Sequence, residues 1–306
     1  MTSSFSPDVI AIFGPTAGGK TAVAEALADR VPGEIVSADA MQVYRGLPIL
    51  TNQSKRPTRL VAVWPLSHQA SVAEYAPLAH RAIDEALAAN RTPIVVGGTG
   101  LYLRAALADL EVPPAPVPGA REHFERLYDR VGPEGAHALL ADRDPEAAAV
   151  VHANDRRRVV RALELNDAGA SLRPSRDRLW SDEMRHPTVV FGLEVPREEL
   201  WRRIEERTCA MFERGVEEEV RRALEQPIST TAQAIHGLRE IAVLPPDEAR
   251  EALVLRTRRY AAYQRRWMRR IPTIVTVRAD RSAGEVADEI LEVARSRERL
   301  PARGAG

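Results

Sequence analysis

The sequence predicts an α/β protein, a parallel sheet flanked by helices and interrupted by an all-helical insertion. Three observations predict it. Short apolar runs alternate with helix-forming stretches in the first third of the chain, and each run stops at a glycine or a polar turn. From about Arg121 to Ala168 the pattern is instead helical and highly charged, with no convincing strand. Strands alternating with helices imply parallel pairing with both faces covered, and ligands of such sheets bind beyond the carboxyl ends of the strands.

Asp8–Phe13 (DVIAIF) is a β-branched run that stops at glycine and reads as the first buried strand. Thr21–Arg30 is rich in helix formers. Glu34–Ala38 reads as a second strand, Ser71–Ala89 as a helix, and Pro93–Val96 as a third strand ending at Gly97 and Gly98. Glu111–Gly119 (EVPPAPVPG) holds four prolines and ends any regular element. Thr188–Val195 looks like a returning strand, long helical segments follow to about Gln264, and Pro272–Val277 is expected as the last strand. The domain reading is a discontinuous core at 1–115 and 186–283, a helical insertion at 116–185, and a charged, mobile tail at 284–306. No internal repeat is visible.

With 306 residues, 44% hydrophobic and 28% charged, the chain has the balance of an ordinary globular protein. Collagen-like, disordered and disulfide-scaffold classes are excluded. No apolar run approaches the roughly 18–20 residues that cross a bilayer, and no basic segment precedes the short apolar stretch at the N-terminus. The single cysteine, Cys209, fits a reducing compartment. A cytoplasmic location and no membrane association are therefore expected.

Net charge is formally zero, but only two of the 43 basic residues, Lys20 and Lys55, are lysine. The arginine excess reads as a compositional bias of the source, and against it a lysine in a glycine-rich loop carries more information than usual. Charge is also unevenly placed. Ala252–Ala279 holds eight arginines and no acid, a local footprint for a polyanion despite the neutral total.

Gly14-Pro15-Thr16-Ala17-Gly18-Gly19-Lys20-Thr21 matches GxxxxGK[ST] directly after a predicted strand and opening a predicted helix. Its glycines let backbone N–H groups converge on phosphate oxygens, and the helix N-terminus adds its positive dipole end. Lys20 supplies a point charge and the Thr21 hydroxyl a ligand for Mg²⁺. The competing reading, a glycine-rich turn with an incidental lysine, has the flanking strand and helix against it. This makes the core of P-loop type.

Three further signals fall at the same sheet edge. Asp39, after the second strand, lies where it accepts a proton from a nucleophile, holds a metal through water, or simply caps a helix. Gly97-Gly98-Thr99-Gly100-Leu101-Tyr102 follows the third strand, and Thr99 there is a donor to a phosphate oxygen or part of a tight turn. In Arg256–Arg270 (RTRRYAAYQRRWMRR), Leu253, Thr257, Tyr260, Gln264 and Trp267 share one helical face. Arg258, Arg259, Arg265, Arg266, Arg269 and Arg270 lie on the other. The apolar stripe reads as core packing. The arginine face reads as a binder of phosphate backbone, because no acid intervenes within the helix to neutralise it. A second basic cluster, Arg156-Arg157-Arg158 with Arg161, sits in the insertion.

Together these motifs resemble the bacterial tRNA dimethylallyltransferases. GPTASGKT resembles residues 14–21 with Gly18 for serine, DSMQVY resembles Asp39–Tyr44 with Ala40 for serine, and GGTGLY is matched in full at 97–102. ND..R..RALE is matched from Asn154 to Glu164, R..RI..R is recognisable around Arg203 and Arg207, and T.QYA.RQ.TW.R around Thr257–Arg269. The match runs in order over roughly residues 8–280. It departs at Arg59–Leu66, where a PHHL segment is replaced and shortened, at Gly237-Leu238-Arg239-Glu240, where GYKE or GYRE is usual, and at Ala262-Tyr263-Gln264 for KRQ.

The resemblance implies transfer of a dimethylallyl group from dimethylallyl diphosphate to the N6 amine of adenine 37, beside the anticodon of tRNA. It implies that the P-loop holds a diphosphate leaving group, that Asp39 is the general base, and that Thr99 and Arg207 (or Arg203) contact the diphosphate. Asp39, Ala40, Met41, Gln42, Thr99, Arg121, Arg157, Arg158, Arg161, Gln264 and Trp267 match tRNA contacts of the family. The expected cofactor is Mg²⁺. The expected partners are the anticodon stem-loop of tRNA and dimethylallyl diphosphate, and a monomer is expected. The rival readings are a P-loop small-molecule kinase, which needs neither the insertion nor the arginine-rich helix, an isopentenyltransferase acting on free adenine nucleotides, and a non-enzymatic NTP-binding RNA switch.

Overall fold

The computed structural model describes residues 8–111, 117, 119–172 and 179–297. Most of the proline-rich stretch and the last nine residues of the expected tail lie outside them. Contacts divide the chain into a unit of residues 1–109 and 182–306 and a second unit, Leu110–Ser181. The second unit thus begins and ends a few residues earlier than the expected 116–185.

The larger unit is built on five parallel strands, β1 (Val9–Phe13), β2 (Gly33–Ser37), β3 (Thr92–Gly97), β4 (Thr188–Glu194) and β5 (Val275–Arg278), in the order β2-β3-β1-β4-β5. Every residue of β1 is buried, because it lies centrally, with β3 on one side and β4 on the other. That is why its sequence is continuously apolar and not alternating. The chain leaves β1 for β2 and β3 on one side and reaches β4 on the other. The switch point therefore falls between β1 and β3, where a crevice opens beyond the strand ends.

In chain order the helices of this unit are α1 (Lys20–Ala28), α2 (Val72–Ala88) and α3 (Gly100–Leu107), with those after β4 numbered below. Ser71 caps α2 by accepting from the Glu74 N–H at 3.2 Å while its hydroxyl donates to the Glu74 carboxylate, a reciprocal cap. The segment at Arg59, replaced relative to the family pattern, pairs with β2: Ser37 N–H donates to Arg59 O and Arg59 N–H to Ile35 O.

Leu110–Ser181 holds α4 (Ala120–Arg143), α5 (Pro145–Ala148) and α6 (Arg156–Asp167), and no strand among its described residues. Gly132, at φ 77° and ψ 174°, breaks α4 just before Pro133. Phe124, Tyr128, Leu140, Val159 and Leu163 form the unit's own core. Glu164 is fully buried there, accepting from Arg121 Nε at 2.9 Å and Arg161 at 3.1 Å.

After β4 come α7 (Arg197–Glu213), α8 (Val216–Leu224), α9 (Thr230–Gln233), α10 (Leu238–Val243), α11 (Pro246–Met268) and α12 (Ala283–Arg297). Strand β5 starts three residues later than expected, because Pro272 has no N–H and Thr273 takes a left-handed φ of 55°. The expected mobile tail requires a larger correction. Up to Arg297 it is α12, whose Val286, Ala287, Ile290, Leu291 and Ala294 recur at helical spacing and are buried in the main core with Leu27 of α1. Charged residues on the other face hid that stripe. Among the described residues no helix is long and apolar enough to cross a membrane.

Ile290 is fully buried, so Ile290→Ala is expected to cost about 2–5 kcal/mol in denaturant unfolding. A loss under about 0.5 kcal/mol, the range of exposed positions, would return α12 to the periphery.

Candidate active site

A cavity of about 430 Å³ opens where β1 and β2 end. The loop after β1 supplies Thr16, Ala17, Gly18 and Gly19, and α1 supplies Lys20 and Thr21. The segment after β2 supplies Asp39, Met41 and Gln42, α7 supplies Arg203 and Arg207, and α11 supplies Thr257, Tyr260 and Gln264. Leu50, Ile204, Met211 and Leu253 give it apolar surface.

The cradle is preformed. Gly19 caps α1 with φ 87°, and Gly18 N–H folds back on Pro15 O at 3.1 Å. Lys20 Nζ donates to Gly14 O at 3.0 Å and Pro15 O at 2.8 Å. Burial pushes this amine down to about 8, with Asp39 acting against the shift and Arg207 adding to it. Burial also lowers Arg207, whose guanidinium donates to the Thr16 hydroxyl at 3.0 Å. Arg203 donates to Glu199 at 2.6 Å and to Ala279 O at 2.9 Å. Both arginines of the α7 pattern thus reach the cavity, Arg207 against the loop itself.

Asp39 accepts the Met41 N–H at 2.8 Å through one carboxylate oxygen. Ala40 N–H donates to the Thr99 hydroxyl at 3.3 Å, and that hydroxyl lies 3.5 Å from Tyr260 Oη. Burial first, then Asp39, raises the Tyr260 phenol well above its usual range, so it stays protonated. Gln42 spans to the opposite lip, its amide donating to Thr51 O and Asn52 O. That lip is fixed by Glu219 of α8, which accepts from the Ile49 and Leu50 N–H groups at 2.7 and 2.8 Å.

Gln264, expected as a tRNA contact, is held inside the site. It is 2% exposed; its Oε1 accepts from Thr16 N–H at 2.6 Å and its Nε2 donates to Gly98 O at 2.9 Å. It braces the two glycine turns from the cavity wall. Gly98 is required there, because a Cβ would stand 2.2 Å from Gln264 Nε2. Trp267 lies over Gly100, where a Cβ would meet its ring at 2.0 Å, and its indole N–H donates to Tyr263 Oη. One arginine of the acid-free face meets an acid from another helix: Arg258 pairs with Glu205 of α7, as Arg256 beside that face does with Glu240 of α10, acids that no helical spacing could reveal. Arg259, Arg266 and Arg269 are exposed.

Arg121, Arg157, Arg158 and Arg161 belong to the helical unit. Arg157 and Arg158 are exposed, whereas Arg121 and Arg161 hold Glu164. His236, just before α10, was missed by sequence reasoning, since a lone histidine carries no spacing signal. It lines the cavity with its ring centroid 4.3 Å from that of Tyr260.

The model of the IPP transferase family matches residues 42–271, and an isopentenyl transferase model matches residues 7–59. The chain belongs to the IPP transferase family. Among its relatives, the tRNA dimethylallyltransferase of Streptomyces coelicolor is 40% identical over 282 residues, which cover 88% of this chain and 89% of that one. The tRNA dimethylallyltransferase of Thermobifida fusca is 40% identical over 285 residues, covering 87% and 88%. The full-length tRNA isopentenylpyrophosphate transferase of Bacillus halodurans superimposes with a TM-score of 0.66 at 30% identity over 95% of this chain and 99% of that one. A eukaryotic dimethylallyltransferase, at 23% identity and a TM-score of 0.76, shares the fold. In this IPP transferase the loop after β1, the carboxylate after β2 and the α7 arginines converge on one cavity.

Protonated Lys20 dominates below about pH 8 and is lost above it. Binding of inorganic diphosphate, followed by calorimetry, is therefore expected to weaken as pH rises through that value. Lys20→Arg, charged throughout, is expected to lack the fall. A wild-type affinity flat across this range would remove Lys20 from the anion site.

Proposed function

We propose that this IPP transferase moves a dimethylallyl group from dimethylallyl diphosphate to the N6 amine of adenine 37 in tRNA, beside the anticodon. The observation that carries the reading is the juxtaposition in one cavity of a cationic cradle, Lys20 with Arg207, and a carboxylate, Asp39. Allylic displacement needs both. The N6 lone pair attacks C1 of the dimethylallyl group, the C1–O bond breaks, and its electron pair leaves on diphosphate. The N6 proton passes to Asp39, whose second oxygen is not used by Met41.

Charge grows on the leaving diphosphate, and Lys20 and Arg207 bring positive charge to the cavity that would receive it. In a site partly shielded from water such preorganised donors stabilise the transition state by several kcal/mol, on the order of what mutagenesis of oxyanion donors gives. Thr99 accepts from the Ala40 N–H and lies 3.5 Å from Tyr260 Oη, a position from which its hydroxyl is proposed to contact the diphosphate. The Thr21 hydroxyl and the Asp39 carboxylate are hard oxygen donors on the same cavity and suit Mg²⁺, which keeps most of its shell as water and phosphate oxygen. When bound, the ion would neutralise diphosphate charge.

An adenine stacked in an RNA loop must leave its stack to reach such a cavity. Asp39–Gln42 form the lip it meets. Within the larger unit the exposed Arg259, Arg266 and Arg269 of α11 are free to meet phosphates of the RNA, and within the helical unit Arg157 and Arg158 are likewise exposed. The protein is read as a cytoplasmic monomer.

Labelled dimethylallyl diphosphate, given with unmodified tRNA, AMP or no acceptor, tests the reading. The label is expected on one adenosine of tRNA by nucleoside mass analysis. Transfer to AMP alone, or phosphoryl transfer from ATP, would replace this reading with one of its rivals. Asp39→Asn is expected to lower kcat at least about 100-fold, within the range general-base catalysis contributes, with tRNA Kd nearly unchanged. Retained kcat would remove Asp39 as the base.

A further inference from the structure

His236 is a polar group that the chemistry above leaves unused. Its Nδ1 accepts from Arg256 Nε at 2.9 Å, and Arg256 is itself held by Glu240. Arginine only donates, so Nδ1 bears the lone pair and the neutral ring carries its proton on Nε2. Burial, reinforced by Arg256, pushes the imidazole down to about 4, which keeps it neutral at physiological pH. The ring is tilted 38° against Tyr260, whose hydroxyl reaches Thr99. His236 therefore lines, beside Tyr260, the same cavity as Asp39, with its orientation and tautomer fixed from behind. Among the described residues, no hydrogen bond in the structure engages Nε2.

We infer that His236 is a specificity-determining residue for the acceptor: its Nε2–H donates to a ring nitrogen flanking the amine of the adenine. This rests on the function proposed above and adds a second reader to the same site. Adenine shows an amine N–H beside a ring lone pair, N1 on one edge and N7 on the other. An acceptor, Asp39, and a fixed neutral donor, His236, match that pair. Guanine places a carbonyl oxygen where adenine has its amine, and so turns a lone pair toward Asp39. A two-point contact of this kind discriminates about 10- to 100-fold per base. A protonated imidazole would add another cation beside Lys20 and Arg207, and the Arg256 contact disfavours it.

The test is a cycle between protein and base. Wild type, His236→Phe and His236→Leu are compared on tRNA carrying adenosine, 1-deazaadenosine or 7-deazaadenosine at the modified position. Wild type is expected to lose about 10- to 100-fold in kcat/KM on one of the two analogues, and which one identifies the ring nitrogen. His236→Phe, which keeps an aromatic face on Tyr260, is expected to be slowed by a similar factor on adenosine. It should be indifferent to that same analogue, with donor KM unchanged. His236→Leu serves if thermal unfolding shows the Phe variant to be misfolded.

Equal analogue penalties in variant and wild type, or no wild-type penalty on either analogue, would overturn the assignment. So would a raised donor KM without an analogue response, which would place the imidazole on the diphosphate. Absence of any transfer to tRNA by wild type would instead overturn the proposed function.

Discussion

One buried amide holds the two phosphate-facing turns of this sheet edge together. Gln264 takes the Thr16 N–H of the first glycine turn and gives its own N–H to Gly98 of the second. Both backbone groups lie where water is scarce, and leaving either unpaired costs about 1–3 kcal/mol. The cradle's register against Thr99 thus depends on a side chain nearly 250 residues away from it. Gly98 and Gly100 follow from the same constraint, since α11 approaches so closely that a Cβ at either position would collide with Gln264 or Trp267.

The electrostatics of the cavity are unbalanced by design of its function. Lys20 and Arg207 are both buried far enough to be pushed toward their neutral forms, and Asp39 is the acid acting against the shift in each. A polyanion such as the proposed diphosphate would offset the desolvation that the two cations bear. Asp39 is tied by one oxygen to a backbone N–H, which leaves its other oxygen for the proton transfer proposed above. Tyr260 and His236 continue the wall as neutral groups. One side of the cavity is therefore cationic, and the other presents neutral hydrogen-bonding groups.

Arginine here has two occupations that composition cannot separate. Some arginines neutralise acids inside the protein: Arg121 and Arg161 on buried Glu164, Arg256 on Glu240, Arg258 on Glu205. Others, such as Arg157, Arg158, Arg259 and Arg269, are exposed on helix faces. Only the second group can add to the attraction for a polyanion without unpairing a carboxylate. A net charge of zero is compatible with a basic surface for this reason.

The sequence by itself determined the parallel α/β core, the loop after β1 and the carboxylate after β2. Each of these depends on residues close together in the chain: an apolar run, a glycine spacing, a helix start. It also determined the family, through motifs in fixed order. Tertiary structure alone decided that α12 is core, because its apolar stripe at Val286, Ile290 and Ala294 has meaning only against Leu27 and the sheet. It alone showed Gln264 bridging the two glycine turns and found Glu205 and Glu240 beside helix arginines. It alone placed His236 by Tyr260 with its tautomer fixed by Arg256. These last features are pairings between residues far apart in sequence, and no local pattern encodes which distant group a side chain will meet.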